Sequence, residues 1–395
     1  MIIGIPKEIM ANENRVAAIP ETVAKFVKLG LEVIVEANAG AGVYYSADDY
    51  AKAGARIVPD AATVYGESDI VLKVKEPLFD ASHNRHEIEL LREKQTLITF
   101  LHPAAPSNHG MVKTLRDRRI TTFSMDSIPR ISRAQRMDAL TSMSTITGYK
   151  SFIIAASRFP KIIPMVGTAI GMIKPANVLV IGIGVVGLQA IATAKRLGGV
   201  VRIVDIRPNA RQEAESLGAK VAGFDVPAEI AMAAGGYANA LTEEWLIRER
   251  EAIAETVANS DIIILSALVP GETAPVLLTE SMVAAMKPGS AIVDVSIDQG
   301  GNCALTEPGT ETTKHGVYIC GIKNIPGSVP VHSSWLYANN MYYYVENLLK
   351  KGVGQFDFDD EIVRSSLITH EGKIAHRGTL KALGETGESF SGGRS

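Results

Sequence analysis

The stretch that most restricts this chain is Val178-Leu-Val-Ile-Gly182-Ile-Gly184-Val-Val-Gly187-Leu. A bare Gly-x-Gly-x-x-Gly says little, but this one has its full context. An apolar run precedes it, a helical pattern over 188–197 follows, and a second apolar run over 200–204 ends on Asp205. Strand, turn, helix and strand in that order predict a parallel β-α-β unit with a phosphate-binding turn at the first strand's carboxyl end. Gly182 permits the tight turn out of the strand, Gly184 has no Cβ to keep a pyrophosphate from the backbone, and Gly187 lets the helix lie close to the strand. Val185 and Val186 lie between the last two glycines, just ahead of that helix, whose unpaired N–H groups and positive dipole end favour an anion. Asp205 stands 18 positions past Gly187, near the offset at which a carboxylate accepts from ribose hydroxyls. With Ile206 beside it, Asp205 favours NAD(H) over NADP(H), although Arg207 is of the kind that accommodates a 2′-phosphate.

Such a unit needs a sheet around it, and the chain supplies two. Apolar runs at 178–181, 200–204, 262–265, 291–295 and 317–319 give the strands of one α/β series. Runs at 2–5, 32–36, 70–74, 97–101 and 120–123, with helical patterns such as 21–29 and 104–115 between them, give another. Long helical patterns at 139–157 and 333–350 are placed to carry the chain between the two series. The predicted fold class is α/β: two Rossmann-like domains with mostly parallel sheets, linked by long helices around a cofactor cleft. The predicted domains are a discontinuous one, 1–139 plus 331–395, and a nucleotide-binding one, 140–330. At 395 residues the chain exceeds one ordinary core. Between 228 and 242 the periodicity fails around Ala233-Ala-Gly-Gly-Tyr237, which reads as a long mobile loop or a plain surface insertion. The Gly- and Ser-rich residues past Gly384 read as a frayed tail.

Composition removes several classes of function. A net charge of −3 gives no basic footprint for nucleic acid. No apolar run reaches the roughly 18 residues of a membrane span, and the first residues lack the basic start and apolar stretch of a signal peptide. Cys303 and Cys320 have no zinc-type spacing, so no metal is expected, and two cysteines suit a reducing cytoplasm.

Polar residues outside the glycine turn fall into three groups. Ser266-Ala267-Leu268-Val-Pro-Gly271 follows a strand, where a turn reaches the nicotinamide side of a nucleotide or simply ends the strand. Arg15, Lys75, His102 and Asp298 each follow a strand-like run or lie in a loop. Arg and Lys clamp carboxylates, His moves protons and Asp orients it, yet structural places fit these residues equally well. Pro129-Arg130-Ile-Ser-Arg-Ala-Gln135-Arg-Met-Asp138 is dense in polar groups, and reads as a cofactor-contacting segment or as a charged loop whose Asp138 caps the next helix.

The segment Arg130-Ile-Ser-Arg-Ala-Gln135-x-Met-Asp138, with Gly148-Tyr149 downstream, resembles domain I of the proton-translocating nicotinamide nucleotide transhydrogenases. So do the glycine turn, Ala234-Gly-Gly-Tyr237-Ala, Ala267-Leu-Val-Pro-Gly271, and Gly300-Gly-Asn-Cys303 with Thr306-Glu-Pro-Gly309. The resemblance covers nearly the whole chain, in the form where the NAD(H)-binding portion of the alpha subunit is a separate polypeptide. It implies that Arg130, Gln135 and Asp138 hold NAD(H) and position its nicotinamide, that Tyr149 supports them, and that Thr141 keeps a hydroxyl where Ser is usual. It implies that Tyr237 rides on a loop closing over the nucleotide. It further implies a homodimer, direct hydride transfer to NADP(H) on a partner beta subunit, and a membrane subunit (the other portion of alpha) that couples transfer to proton movement. The chain would then be cytoplasmic and peripheral to the inner membrane through those partners. Gly4-Ile-Pro-Lys-Glu8, Glu13-Asn-Arg15-Val-Ala, Val74-Lys75-Glu-Pro77, His102 and Ile297-Asp298-Gln-Gly-Gly301 also resemble the sister family, alanine dehydrogenase. That resemblance implies pyruvate binding by Arg15 and Lys75, and proton transfer and amine chemistry by His102 and Asp298. A non-catalytic NAD-binding regulatory subunit is the third reading.

Overall fold

The computed structural model describes residues 1–223, 225–232, 238–269 and 272–385. They form two compact units, Met1–Met143 with 327–385, and Ser144–Pro326. The first unit starts with β1 (Ile2–Ile5), β2 (Glu32–Glu36) and β3 (Arg56–Val58), then places β4 (Ile70–Leu72), β5 (Thr96–Thr99) and β6 (Thr121–Ser124) on the opposite side of β1. All six are parallel. Ile3, Ile5, Val33, Val35, Leu72 and Ile98 fill one face of this sheet, and Val71 and Leu97 pack on the other. Burial on both faces is why these strands read as apolar runs rather than alternations.

The helix α1 (Ala139–Arg158) starts in the first unit and ends in the second. There β7 (Asn177–Ile181) leads into α2 (Val185–Arg196), followed by β8 (Val200–Val204) and the short β9 (Lys220–Val221). The chain then runs through α3 (Glu243–Asn259) to β10 (Ile262–Leu265), β11 (Ala291–Asp294), β12 (Glu311–Lys314) and β13 (Val317–Cys320). The order β9-β8-β7-β10-β11-β13-β12 is doubly wound, with β12 alone antiparallel. Val178, Val180, Ile262 and Ile264 fill one face; Leu179, Ile181, Ile263 and Leu265 fill the other. The strand order reverses between β7 and β10, and ligands of open α/β sheets bind outside the carboxyl ends at such a point.

Val166–Thr168 and Gly171–Ile173 form a separate antiparallel hairpin in this unit. Its Ile170 is 99% exposed and its Met172 68%. The chain re-enters the first unit, where α4 (Pro330–Leu348) packs its Tyr337, Met341 and Tyr344 into the core. Leu367–His370 then adds antiparallel to β6, followed by Lys373–Ile374.

Several local expectations shift. The pattern at 104–115 becomes a helix only over His109–Asp117, because Pro106 starts a 3₁₀ turn over Pro106–Asn108 and lacks the N–H a helix interior needs. Within the stretch expected to be a loop, Ala228–Ala231 is helical and Met232 bridges Ala238. Tyr237 and the tail from 386 lie outside the described residues. Among the described residues, no helix is long and apolar enough to cross a membrane.

Candidate active site

In the second unit the glycine turn is built as tightly as its spacing suggests. Gly182 has φ +87°, and a Cβ there would collide with the Ala267 amide on the turn after β10. A Cβ at Gly187 would collide with the Gly182 carbonyl, so α2 lies directly against the turn. Gly184 is the exception. It is exposed, it is the N-cap of α2 with no side-chain cap, and a Cβ would meet nothing within 4 Å. Close packing on two sides and open space at the helix N-terminus is the arrangement that a pyrophosphate fits. Gly148 serves the same region: a Cβ there would strike the Val186 carbonyl, so α1 approaches the first turn of α2. Its neighbour Tyr149 is 44% exposed.

Asp205 follows β8 and is 7% exposed. Its Oδ2 accepts from the Ile183 amide at 2.7 Å and from Arg207 Nη2 at 2.8 Å. Its Oδ1 accepts from the Arg207 amide at 2.8 Å and Arg207 Nε at 3.0 Å. Ile206, the next residue, is half-buried.

The turn after β10 depends on a residue that sequence reasoning left without a role. Asn302 is fully buried; its Oδ1 accepts from the Ala267 amide at 2.9 Å, and its Nδ2 donates to the carbonyls of Ala267 and Pro275 at 2.9 and 2.8 Å. Ser296 donates to the same Oδ1 at 2.8 Å. Asp294, at the end of β11, accepts from the amides of Asn302 and Cys303 at 2.8 and 3.0 Å. Ala267 is thereby fixed, and Leu268 beyond it is exposed. The signal was Gly300-Gly-Asn-Cys303: Gly300 and Gly301 both have positive φ, which turns the chain so that Asn302 faces inward. Asp298, on the preceding turn, has an exposed side chain 3.7 Å from Lys323.

The first unit carries two further groups. Residues 132–137 form a 3₁₀ turn that is clamped at three points. Arg133 pairs with Asp360 at 2.5 Å, and Arg136 lies over the Tyr343 ring at 3.4 Å from its centroid. Asp138 accepts from the Thr141 amide at 2.9 Å and its hydroxyl at 2.6 Å, so it caps α1. Arg130 and Gln135 remain exposed.

His102 sits on an aromatic wall of Phe100 and Tyr337, Arg15 acts on Tyr337 through its charge, and Lys75 acts on His102 through its own. Tyr337 donates to the Lys73 carbonyl at 2.8 Å and packs on Phe100, whose ring stacks on His102 at 5.9 Å. Arg15 is buried, with Nε and Nη2 on Glu13 at 2.8 and 2.5 Å and Nη1 on Met143 Sδ at 3.1 Å. His102 has φ +46°, which lets its own amide donate to Asp126 Oδ2 at 2.7 Å while its Nδ1 sits 2.8 Å from Oδ1. Burial works against a charged ring, but Asp126 outweighs it and holds the imidazole above its ordinary value. Burial likewise opposes the Asp126 carboxylate, yet His102 and the Ser124 hydroxyl bring it down to about 2. Lys75 is placed by a buried triad. Lys73 Nζ bridges Glu8 at 3.2 Å and Glu87 at 2.8 Å, while Glu8 accepts from the Val74 amide at 2.6 Å and Glu87 from the Leu78 amide at 2.8 Å. Asp126, Lys73 and Glu87 were not predicted as members of this group.

Residues 4–147 match the Alanine dehydrogenase/PNT N-terminal domain family, and residues 151–377 the Alanine dehydrogenase/PNT C-terminal domain family. The chain is 44% identical over 379 residues to the first of the separate polypeptides that make up NAD(P) transhydrogenase subunit alpha in Rhodospirillum rubrum, covering 95% of this chain and 98% of that one. It is 33% identical over 394 residues to the alanine dehydrogenase of Bacillus subtilis, covering 97% and 95%. Among solved structures, the transhydrogenase from Sinorhizobium meliloti matches with a TM-score of 0.80 and 36% identity, over 95% of this chain and 99% of that one. An L-alanine dehydrogenase matches with a TM-score of 0.80 and 29% identity, over 97% and 99%. The glycine turn, the asparagine-fixed strand end and this full-length kinship agree: the chain belongs to the alanine dehydrogenase/PNT family.

Proposed function

We propose that this chain is the NAD(H)-binding component of a proton-translocating NAD(P) transhydrogenase. The observation that carries this reading is the clamped 130–138 segment, in which Arg133, Arg136 and Asp138 hold the turn to the fold and the Gln135 side chain it carries is exposed. A surface loop needs no such anchoring; a loop that orients a ligand does. When bound, NAD(H) supplies the hydride. The residues of the chain bind and orient it: backbone from Gly182 through Gly187 at the pyrophosphate, Asp205 and Ile206 at the adenosine with Arg207 beside them, and Ala267, Leu268, Thr141 and Tyr149 with the 130–138 segment toward the nicotinamide. Transfer between two nicotinamides needs no acid or base, so orientation carries the rate.

In this reading NADP(H) sits on a beta subunit, and the membrane subunit couples transfer to proton movement. The chain is cytoplasmic and reaches the inner membrane through them. A homodimer is supported by the exposed apolar hairpin, because one of its unpaired edges can join the same edge of a second copy across a two-fold axis. Gln135→Ala tests the positioning role. Hydride transfer to NADP⁺ on a partner domain is expected to fall about a hundredfold, while NADH affinity changes less than about threefold. Equal losses in both sink the role.

A second reading, NAD-dependent alanine dehydrogenase, is favoured by the assembly of Arg15, Lys75 and the His102–Asp126 pair in one unit. Arg15 and Lys75 would then bind pyruvate, with His102 and Asp298 serving proton transfer. NADH oxidation driven by pyruvate and ammonium on the chain alone decides it; no such oxidation excludes this reading.

A further inference from the structure

We propose that Arg207 is a latch on the Asp205 carboxylate, closed in the free chain and displaced when the adenosine ribose arrives. The proposal rests on the reading of Asp205 as the ribose acceptor.

A carboxylate offers about four acceptor positions. On Asp205 all four are filled: by the amides of Ile183 and Arg207, and by Nε and Nη2 of the Arg207 guanidinium. The two amides belong to the turns that shape the site and cannot leave without unmaking them. Only the guanidinium can give up its places. A ribose presents two adjacent hydroxyl donors, and two positions are what the guanidinium holds. Asp205 is 7% exposed, so the carboxylate has no spare face on which both groups fit.

The latch is tied down at its far end too. Arg207 Nη2 also donates to the Ile183 carbonyl at 2.8 Å, inside the glycine turn, and the Arg207 side chain is 17% exposed. With the guanidinium in these places the Asp205 carboxylate is neutralised. A buried carboxylate without a partner is costly, the more so with Glu249, itself buried, acting on Asp205 through its charge. Opening the latch does not loosen the strand end. Arg211 Nε donates to the Asp205 carbonyl at 2.6 Å and Arg211 Nη1 to Asp225 at 2.6 Å, which holds the backbone independently.

A latch acts on entry. Nucleotide binds only the open fraction, so a latch closed about nine-tenths of the time slows association and weakens apparent affinity about tenfold, and leaves dissociation alone. Stopped-flow NADH fluorescence on the full chain reads this directly. Arg207→Ala is expected to raise the association rate about tenfold with dissociation changed less than about twofold. Arg207→Lys keeps the charge but loses the forked geometry, and falls between; it carries the comparison if the alanine variant does not fold. Association that is unchanged or slower in both variants, or affinity lost through faster dissociation, overturns the latch. Asp205→Asn separates the two layers. If it leaves NADH affinity unchanged, the ribose reading itself has failed. If it weakens binding while neither Arg207 variant speeds association, the latch alone has failed.

Discussion

Glu249 is a single side chain whose surroundings set a measurable property of the chain. It is 4% exposed on α3; burial first, and the Asp205 charge second, raise it from 4.5 to about 7 despite Arg211 and Arg250. The folded chain keeps this proton up to about pH 7, whereas the unfolded chain releases it near 4.5. The folded state binds more protons between those values, so stability falls as pH rises through the window and the loss is complete above it. A displacement from 4.5 to about 7 corresponds to about 3 kcal/mol. Glu249→Gln is expected to melt close to the parent near pH 5 and several degrees above it at pH 8. A melting difference that does not grow with pH contradicts the assignment. Arg248-Glu-Arg250 looks like a solvated helix face, yet Glu249, Ile253 and Val257 are all buried, so the four-residue spacing held the signal. Asp205 was legible because a motif fixes its offset. Asp126 was not, since only the pairing of β5 with β6 brings it to His102.

At the scale of elements, close approach explains what composition left open. Gly148 is helical, and its use is the contact of α1 with the Val186 carbonyl rather than a turn. Long parallel strands were legible because both faces are buried; Arg56–Val58 and Lys220–Val221 were not, being short, edge-lying and partly exposed. The hairpin over Val166–Thr168 and Gly171–Ile173 went unseen because its glycines and exposed apolar side chains follow no core periodicity. An isolated two-stranded ribbon is marginal in water. Residues 162–173 contain no charge to keep such a ribbon apart from its copy. Placing lysines there, as Ile170→Lys with Met172→Lys, is expected to turn the homodimer proposed above into a monomer by sedimentation, with the melting temperature of the chain little changed. A variant that stays dimeric removes the hairpin from the interface.

For the molecule as a whole, the two α/β series were readable from apolar runs, but the closing of the first sheet was not. Leu367–His370 pairs with Thr121–Ser124 from more than 240 positions away, and its Leu-Ile-Thr-His run resembles many short segments. The two candidate sites differ in the same way. The glycine turn is local and could be read; the group around Tyr337 is assembled from four stretches of chain and could not be read by spacing. The most direct test of the central claim uses the intact chain with NADH in two parallel reactions, one with pyruvate and ammonium, the other with NADP⁺ bound to a purified partner domain. The account predicts hydride transfer only in the second. Rapid NADH oxidation in the first, with none in the second, would contradict it and make the Arg15, Lys75 and His102 group the working site.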